Sequence, residues 1–135
     1  MSRLFFLIAA AFLALAPVVA AADSPPSVNG ATTVTAAEAY ALFEQGAAFI
    51  DGRTSSDFAT GRIPGAVNLD QASSFTQASL AAVVAKADPV VFYCNGRSCL
   101  RSSEESALAV SWGYTAVHYM RDGYSAWEAA GYPIE

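Results

Sequence analysis

The stretch that decides the fold is Val90-Val91-Phe92-Tyr93-Cys94-Asn95-Gly96-Arg97-Ser98-Cys99-Leu100-Arg101-Ser102. Its first four residues, Val90–Tyr93, are β-branched or aromatic and uncharged, which predicts a strand in the middle of a parallel sheet. Ser102 and Glu105 form a capping-box sequence, which predicts the start of a helix that ends at Gly113. Residues 94–101 are therefore a strand-to-helix loop at the carboxyl edge of the sheet, where open α/β sheets place their ligand sites.

Helices and strands alternate on both sides of this loop. Turn residues and apolar spacing predict, in chain order, a helix over Ala36–Gln45 with a Thr35–Glu38 capping box, a strand over Ala47–Ile50, a helical turn over Ser56–Gly61, a short extended piece within Ile63–Leu69, a helix over Thr76–Ala87, a strand over Ala116–Met120 and a helix over Tyr124–Ala130. This order predicts an α/β fold with a mainly parallel sheet flanked by helices on both faces.

The first 22 residues have the character of a signal peptide. Arg3 precedes an apolar run over Leu4–Leu15, and Ala20–Ala22 offers a cleavage site. The alternative is an uncleaved membrane anchor, but the run is shorter than the roughly 18 residues that span a bilayer. We therefore expect an exported protein of the periplasm or cell envelope, cleaved near Ala20 to Ala22, with no stable membrane anchor.

The rest of the chain has the size of one domain. Residues 23–33 are rich in serine, proline and glycine and predict a flexible lead-in, so residues 34–135 form a single domain. The net charge of the chain is −5. Because basic patches supply most of the affinity for nucleic acids and anionic lipids, partners of those two kinds are not expected.

The two cysteines, Cys94 and Cys99, lie too close in sequence for a bond between them to restrict the unfolded chain much, so chemistry is a better explanation for the pair than stapling. A helix N-terminus after the loop favours both a thiolate and a bound anion. The sequence thus predicts Cys94 as a nucleophile; the alternative is a small buried apolar residue. The predicted anion-binding loop consists of Asn95, Gly96, Arg97, Ser98, Leu100 and Arg101; the alternative for both arginines is a solvated surface cation.

Four signatures in order resemble the rhodanese-like (sulfurtransferase) family, over nearly the whole chain after the leader. They are Ile50-Asp51-Gly52-Arg53, Gly61-Arg62-Ile63-Pro64-Gly65-Ala66, Cys94 through Arg101-Ser102, and Gly113-Tyr114 with Asp122-Gly123-Tyr124-Ser125-Ala126-Trp127 and Ala130-Gly131-Tyr132-Pro133. The resemblance implies that Cys94 takes a sulfane sulfur from a small donor as a persulfide and passes it to a thiol or to cyanide. It implies no cofactor.

The sequence departs from the family pattern in three places. The Cys94–Arg101 loop is two residues longer than usual, Arg62 stands where the family more often has histidine, and Gly52 stands where it more often has a branched apolar residue. The loop also resembles a branch of exported members with a second cysteine late in the loop. Cys99 is therefore a resolving thiol, an alternative sulfur acceptor or an incidental residue.

The sequence is compatible with several roles for the remaining charged residues and with several functions. Asp51 and Arg53 fit a supporting charge pair at a strand end better than catalytic residues. His118 has no second histidine to join it, and the chain lacks the ligands of a structural zinc site, so we expect no metal. Besides a thiosulfate-type sulfurtransferase, the candidates are a non-catalytic sulfur-carrier or thiol-binding module, a thiol–disulfide redox module, and a cysteine phosphatase or arsenate reductase.

Overall fold

The computed structural model describes residues 10–17 and 23–135. In chain order its elements are β1 (Thr32–Thr33), α1 (Ala36–Glu44), β2 (Ala48–Asp51), α2 (Ser55–Thr60), β3 (Val67–Asn68), α3 (Gln77–Ala81), β4 (Val90–Tyr93), α4 (Arg101–Ser111), β5 (Val117–Met120) and α5 (Gly123–Ala129). The predicted capping box at the start of α1 is present, with Thr35 and Glu38 exchanging hydrogen bonds.

The strands form one sheet in the order β1-β5-β4-β2-β3, with every neighbouring pair parallel. The central strand is β4, whose four residues are all buried, as its uncharged sequence predicts. Tyr93 at its end lies in register with Asp51 of β2 and Met120 of β5. The residues that follow these three strands therefore meet at one edge, and the predicted α/β architecture is confirmed.

A separate apolar core covers each face of the sheet. On one face, Ile50, Val90 and Phe92 pack with Leu80 and Ala109 of α3 and α4. On the other face, the core residues of the sheet and of α1 and α5 are Phe49, Val91, Tyr93, Met120, Ala39 and Trp127. Alternate residues of β4 thus serve opposite cores, which fixes the strand in depth and in register.

The helix predicted over Thr76–Ala87 is shorter in the structure. α3 ends at Ala81, and turns continue to Pro89. The carbonyl of Val84 accepts from the Tyr114 hydroxyl, and that of Lys86 accepts from the Thr115 backbone N–H. Because these carbonyls bond to the α4–β5 connection, the apolar spacing of this segment reflects burial of Leu80 and Val84 against the sheet and not a continuous helix.

The capping box predicted at Ser102 and Glu105 is wrong. α4 already begins at Arg101, Leu100 is its N-cap residue, and no side chain caps it among the described residues. Ser102 and Glu105 lie on the buried side of the helix. The S-x-x-E spacing arises here from residues that face the sheet, so it does not mark the helix start.

The residues ahead of α1 make specific contacts with the domain. Part of the predicted lead-in, Thr32–Thr33, forms edge strand β1, and the carbonyl of Ser24 accepts from the guanidinium of Arg121. The fold thus includes residues that the composition assigned to a linker, while the domain limits stay a prediction.

The predicted signal peptide lies largely outside the described residues; within it, residues 10–17 are exposed and form neither helix nor strand. Over the described ranges, no helix has the length and apolar character needed to cross a bilayer.

Candidate active site

Cys94 is the first residue after β4 and lies at the carboxyl edge of the sheet, as the sequence predicts. Only 1% of its surface is exposed. The loop after it rises toward solvent, with Asn95, Arg97 and Ser98 exposed, and returns to the fold where α4 begins at Arg101. The geometry therefore places a shielded sulfur beneath an exposed loop.

The N-terminus of α5 fastens the start of this loop. The backbone N–H of Tyr124 donates to the carbonyl of Cys94 at 2.8 Å, and that of Ser125 donates to the carbonyl of Asn95 at 3.0 Å. Gly123 has φ +66°, and a Cβ there would lie 2.6 Å from the Cys94 carbonyl oxygen. Only glycine combines this backbone conformation with so close an approach, which explains the glycine at this position.

Two further contacts hold the exposed part of the loop. The side-chain amide of Asn95 accepts from Arg53 Nη1 at 3.4 Å and donates to Asp57 Oδ2 at 3.3 Å. The backbone N–H of Ser24 donates to the carbonyl of Arg97 at 2.7 Å. The loop is therefore tied to α2, to the β2 end and to the segment before β1.

The two cysteines form a disulfide. Cys94 and Cys99 are bonded, with their Cα atoms 6.2 Å apart. A turn within the loop, in which the N–H of Cys99 donates to the carbonyl of Gly96 at 3.1 Å, brings the second thiol back toward the first. In this oxidised form the sulfur of Cys94 is blocked, so any nucleophilic role needs prior reduction.

Asp51 and Arg53 form a buried ion pair beneath the loop. Arg53 Nη2 lies 2.7 Å from Asp51 Oδ2 and also donates to the carbonyl of Gly61 at 2.7 Å, and the side chains are 3% and 0% exposed. Burial lowers the pKa of Arg53, but the hydrogen bonds and charge of Asp51 outweigh it and raise that pKa. The guanidinium also lies 4.4 Å from the ring centroid of Tyr124. The pair contacts the loop through Asn95, and its supporting role stays a prediction.

Both loop arginines have acidic partners. Arg97 Nε lies 2.6 Å from Asp122 Oδ1, and Arg101 Nη1 bonds to Asp70 Oδ1 and donates to the carbonyl of Gly52 at 3.2 Å. The backbone N–H of Ala72 and then, against the effect of burial, the guanidinium of Arg101 hold the pKa of Asp70 below its ordinary value. Neither arginine is a bare cation in this structure, and their anion-binding role stays a prediction.

Glu105 carries a buried carboxyl group on α4, the helix that follows the loop. It is 0% exposed, and neither carboxyl oxygen has a hydrogen-bond partner among the described residues. Burial, followed by the negative charge of Asp51, raises the pKa of Glu105 to about 9. Its carboxyl fills the space that a side chain at position 52 would occupy. This accounts for Gly52, one of the departures from the family pattern noted in the sequence.

Other features of the described residues lie away from this site. His118 lies within β5, as expected of a strand residue, and no group of three or more potential metal ligands occurs in the described part of the chain. A cleft of about 350 Å³ opens at the opposite edge of the sheet, between the end of α1 and the residues before β4. Asp88 is its titratable lining residue, and no cysteine lines it.

The sequence missed several residues that shape the site. Asp70 and Asp122 pair with loop arginines from 31 and 25 residues away, and Asp57 reaches Asn95 from 38 residues away. No local sequence pattern predicts such pairs, because they depend on how the crossover connections between parallel strands bring distant loops together. The Asp122-Gly123 turn could have suggested a close contact, since a glycine after a strand often marks one.

Comparison with known proteins agrees with this geometry. The family model of the rhodanese-like domain matches residues 35–130. The chain belongs to the rhodanese-like family. A relative of this rhodanese-like domain, the thiosulfate sulfurtransferase GlpE of Pseudomonas savastanoi pv. phaseolicola, is 36% identical over 102 residues, covering 73% of this chain and 87% of the relative.

Solved structures show the same fold. The human single-domain sulfurtransferase TSTD1 is 30% identical to this rhodanese-like domain, with a TM-score of 0.59 over 73% of this chain and 96% of that one. A Rhodopseudomonas palustris protein of unknown function, described as a possible tyrosine phosphatase, is 29% identical, with a TM-score of 0.61 over 78% of this chain and 85% of that one. The family resemblance seen in the sequence is thus confirmed.

Proposed function

We propose that this domain is a sulfurtransferase in which Cys94 carries sulfur as a persulfide. The observation that carries the proposal is the position of Cys94, shielded at the carboxyl end of the central strand of a rhodanese-like sheet, under a loop anchored by α5. The similarity to a thiosulfate sulfurtransferase supports thiosulfate as the first donor to test.

The proposed reaction has two steps. The Cys94 thiolate attacks the outer sulfur of thiosulfate, the sulfur–sulfur bond of thiosulfate breaks, and sulfite leaves with the bonding electron pair. A thiophilic acceptor such as cyanide then attacks the outer sulfur of the persulfide, giving thiocyanate and restoring the Cys94 thiolate. At the end of the loop, the N-terminus of α4, which no side chain caps in the described part of the chain, supplies backbone N–H groups that favour negative charge on donor and persulfide.

We also propose export as the cellular setting. The predicted leader over residues 1–22 supports it. An oxidising compartment would also allow the Cys94–Cys99 disulfide to persist between cycles. N-terminal sequencing of the protein from a cell-envelope fraction tests this, and an intact N-terminus in the cytoplasmic fraction would contradict it.

The test of the function is direct. The purified protein is reduced, freed of reductant, treated with thiosulfate and digested for peptide mass spectrometry, and turnover to thiocyanate is followed with added cyanide. We expect sulfite release from the wild type and from Cys99→Ser, one added sulfur on Cys94 in Cys99→Ser, and neither result in Cys94→Ser. If the wild-type protein releases no sulfite and gains no sulfur, the proposal is wrong.

A thiol–disulfide redox module is the second candidate, and the observed disulfide is what favours it. That function predicts reversible exchange with small dithiols and no sulfite release from thiosulfate. Sulfite release and the loop-peptide mass of Cys99→Ser separate the two functions, because a persulfide adds a sulfur atom whereas a disulfide removes two hydrogens.

A further inference from the structure

The disulfide shows that the second thiol can reach the first within the folded domain. Cys94 and Cys99 bond across a loop whose two ends are fixed, one by the α5 contacts and the other by the start of α4. No movement of β4 or α4 is needed to bring the sulfur atoms together. Because the same contacts anchor both loop ends, we expect Cys99 to stay within reach of a group carried by Cys94 in the reduced protein.

The two thiols differ in access. Cys94 is 1% exposed, whereas Cys99 is only partly buried and lies next to the exposed side chain of Leu100. An external thiolate can approach the disulfide from the side of Cys99, and Cys94 then leaves as the thiolate. Partly exposed and deeply shielded partners of this kind suit a disulfide that opens and closes during a reaction cycle.

We propose that this domain has a second activity, the release of inorganic sulfide, in which Cys99 resolves the Cys94 persulfide. The proposal rests on the sulfurtransferase function above. The Cys99 thiolate attacks Sγ of Cys94, the bond between that Sγ and the terminal sulfur breaks, and the terminal sulfur leaves as hydrosulfide with the proton of the persulfide. The Cys94–Cys99 disulfide of the structure is the other product.

The electrons in this step balance within the site. The two cysteine thiols together lose two electrons, and the sulfane sulfur gains them in becoming sulfide. For thiosulfate as donor, the sum is one thiosulfate and two thiols giving one sulfite, one hydrogen sulfide and one disulfide. A further cycle requires a dithiol reductant, which reopens the disulfide and is itself oxidised to a disulfide.

The point of attack distinguishes this step from simple sulfur relay. Attack by Cys99 on the outer sulfur would move the persulfide to Cys99 and release nothing. Attack on Sγ of Cys94 forms the bond that the structure contains. The bonded arrangement of the two sulfur atoms therefore favours resolution over relay.

The test is a single turnover with separate readouts for the two functions. The protein is reduced with dithiothreitol, desalted under argon and mixed with an equimolar amount of thiosulfate; sulfite, sulfide and the mass of the loop peptide are then measured. For the wild type we expect about one sulfide per sulfite and a Cys94–Cys99 disulfide. For Cys99→Ser we expect a sulfide-to-sulfite ratio at least about tenfold lower and sulfur retained on Cys94.

Because the readout is a ratio, a slower first step in Cys99→Ser does not affect it. Sulfite without sulfide from the wild type, or equal ratios in wild type and Cys99→Ser, would overturn the inference while leaving the sulfurtransferase function intact. Absence of sulfite from the wild type would instead remove the proposed function itself. Added dithiothreitol should convert the wild-type reaction from one turnover to many, and a lack of this effect would also contradict the cycle.

Discussion

Replacing Glu105 by glutamine should stabilise the protein at neutral pH. Glu105 is fully buried, has no hydrogen-bond partner among the described residues, and faces the negative charge of Asp51. Its pKa is raised from an ordinary value of 4.5 to about 9, since burial and that charge disfavour the ionised form. At neutral pH the folded protein therefore holds a proton on Glu105 that the unfolded chain has lost.

The sign and size of the pH effect on stability follow from this difference in protonation. Because the folded pKa lies above the unfolded one, the contribution of Glu105 to stability is complete below pH 4.5 and is lost as the pH rises toward 9. Each pH unit in this window changes the free energy of unfolding by about 1.4 kcal/mol. At about pH 7 the loss amounts to about 3 kcal/mol relative to acid. Glutamine has nearly the same size and does not titrate, so the variant avoids that loss.

Urea unfolding of the oxidised wild type and Glu105→Gln across pH values from about 4 to about 8.5 measures the effect. The stability gain of the variant should be near zero at the acid end and grow with pH. Glu104→Gln is the matched control, because Glu104 is an exposed neighbour on the same helix and should give no such slope. A difference between wild type and Glu105→Gln that does not change with pH would refute the reasoning.

The remaining predictions concern the loop and its supports. Gly52→Val should destabilise the fold because the new side chain meets the Glu105 carboxyl. Glu105→Ala in the same chain should recover most of the lost free energy of unfolding. Additive effects in a double-mutant cycle would contradict this contact. Gly123→Ala should cost about 2–5 kcal/mol in urea unfolding, from backbone strain and collision with the Cys94 carbonyl. Gly131→Ala, with a similar φ of +75° and open space, should show the strain alone, and equal losses in both variants would disprove a special contact at Gly123. Arg97→Ala should raise the KM for thiosulfate several-fold because it removes a cation at the loop, and it should change kcat and stability little. An unchanged KM in steady-state assays would mean that Arg97 does not contact the donor.

The sequence predicts the fold well where one short pattern is sufficient. The uncharged run Val90–Tyr93 identifies the central strand without error, because a strand buried on both faces needs no polar residues. The Thr35–Glu38 capping box likewise marks the start of α1, since both partners of that motif are local and solvent-exposed.

The same kind of local pattern fails where tertiary contacts decide the structure. The apolar spacing of Thr76–Ala87 is satisfied by burial of two side chains, while the backbone bonds to the residues after α4. The Ser102–Glu105 motif is present in sequence, but α4 turns both residues toward the sheet. Local propensity is a weak guide when the segment packs against a core.

In the candidate site, too, the features encoded by the local sequence could be predicted, whereas those set by tertiary contacts could not. The sequence locates Cys94 and its loop, because the uncharged strand before Cys94 is locally encoded and a helix follows within a few residues. It does not reveal the disulfide, nor the acidic partners of the arginines, since these depend on distances across the fold. The reason for Gly52 is not visible in the sequence, because this glycine leaves space for the side chain of Glu105, 53 positions later.

The acidic partners restrict how an anionic donor can bind. Arg53 is held in a buried pair whose disruption would leave a charge without compensation, and Arg101 is partly buried against Asp70 and Gly52. The Arg97 side chain, 59% exposed, is the most accessible of the three, and exposed ion pairs are weak enough to exchange partners. A donor such as thiosulfate can therefore compete for Arg97 while the other two arginines keep the loop in shape. We expect the specificity of the site for anions to depend on that exchange and on the backbone N–H groups at the start of α4, rather than on a preformed cluster of cations.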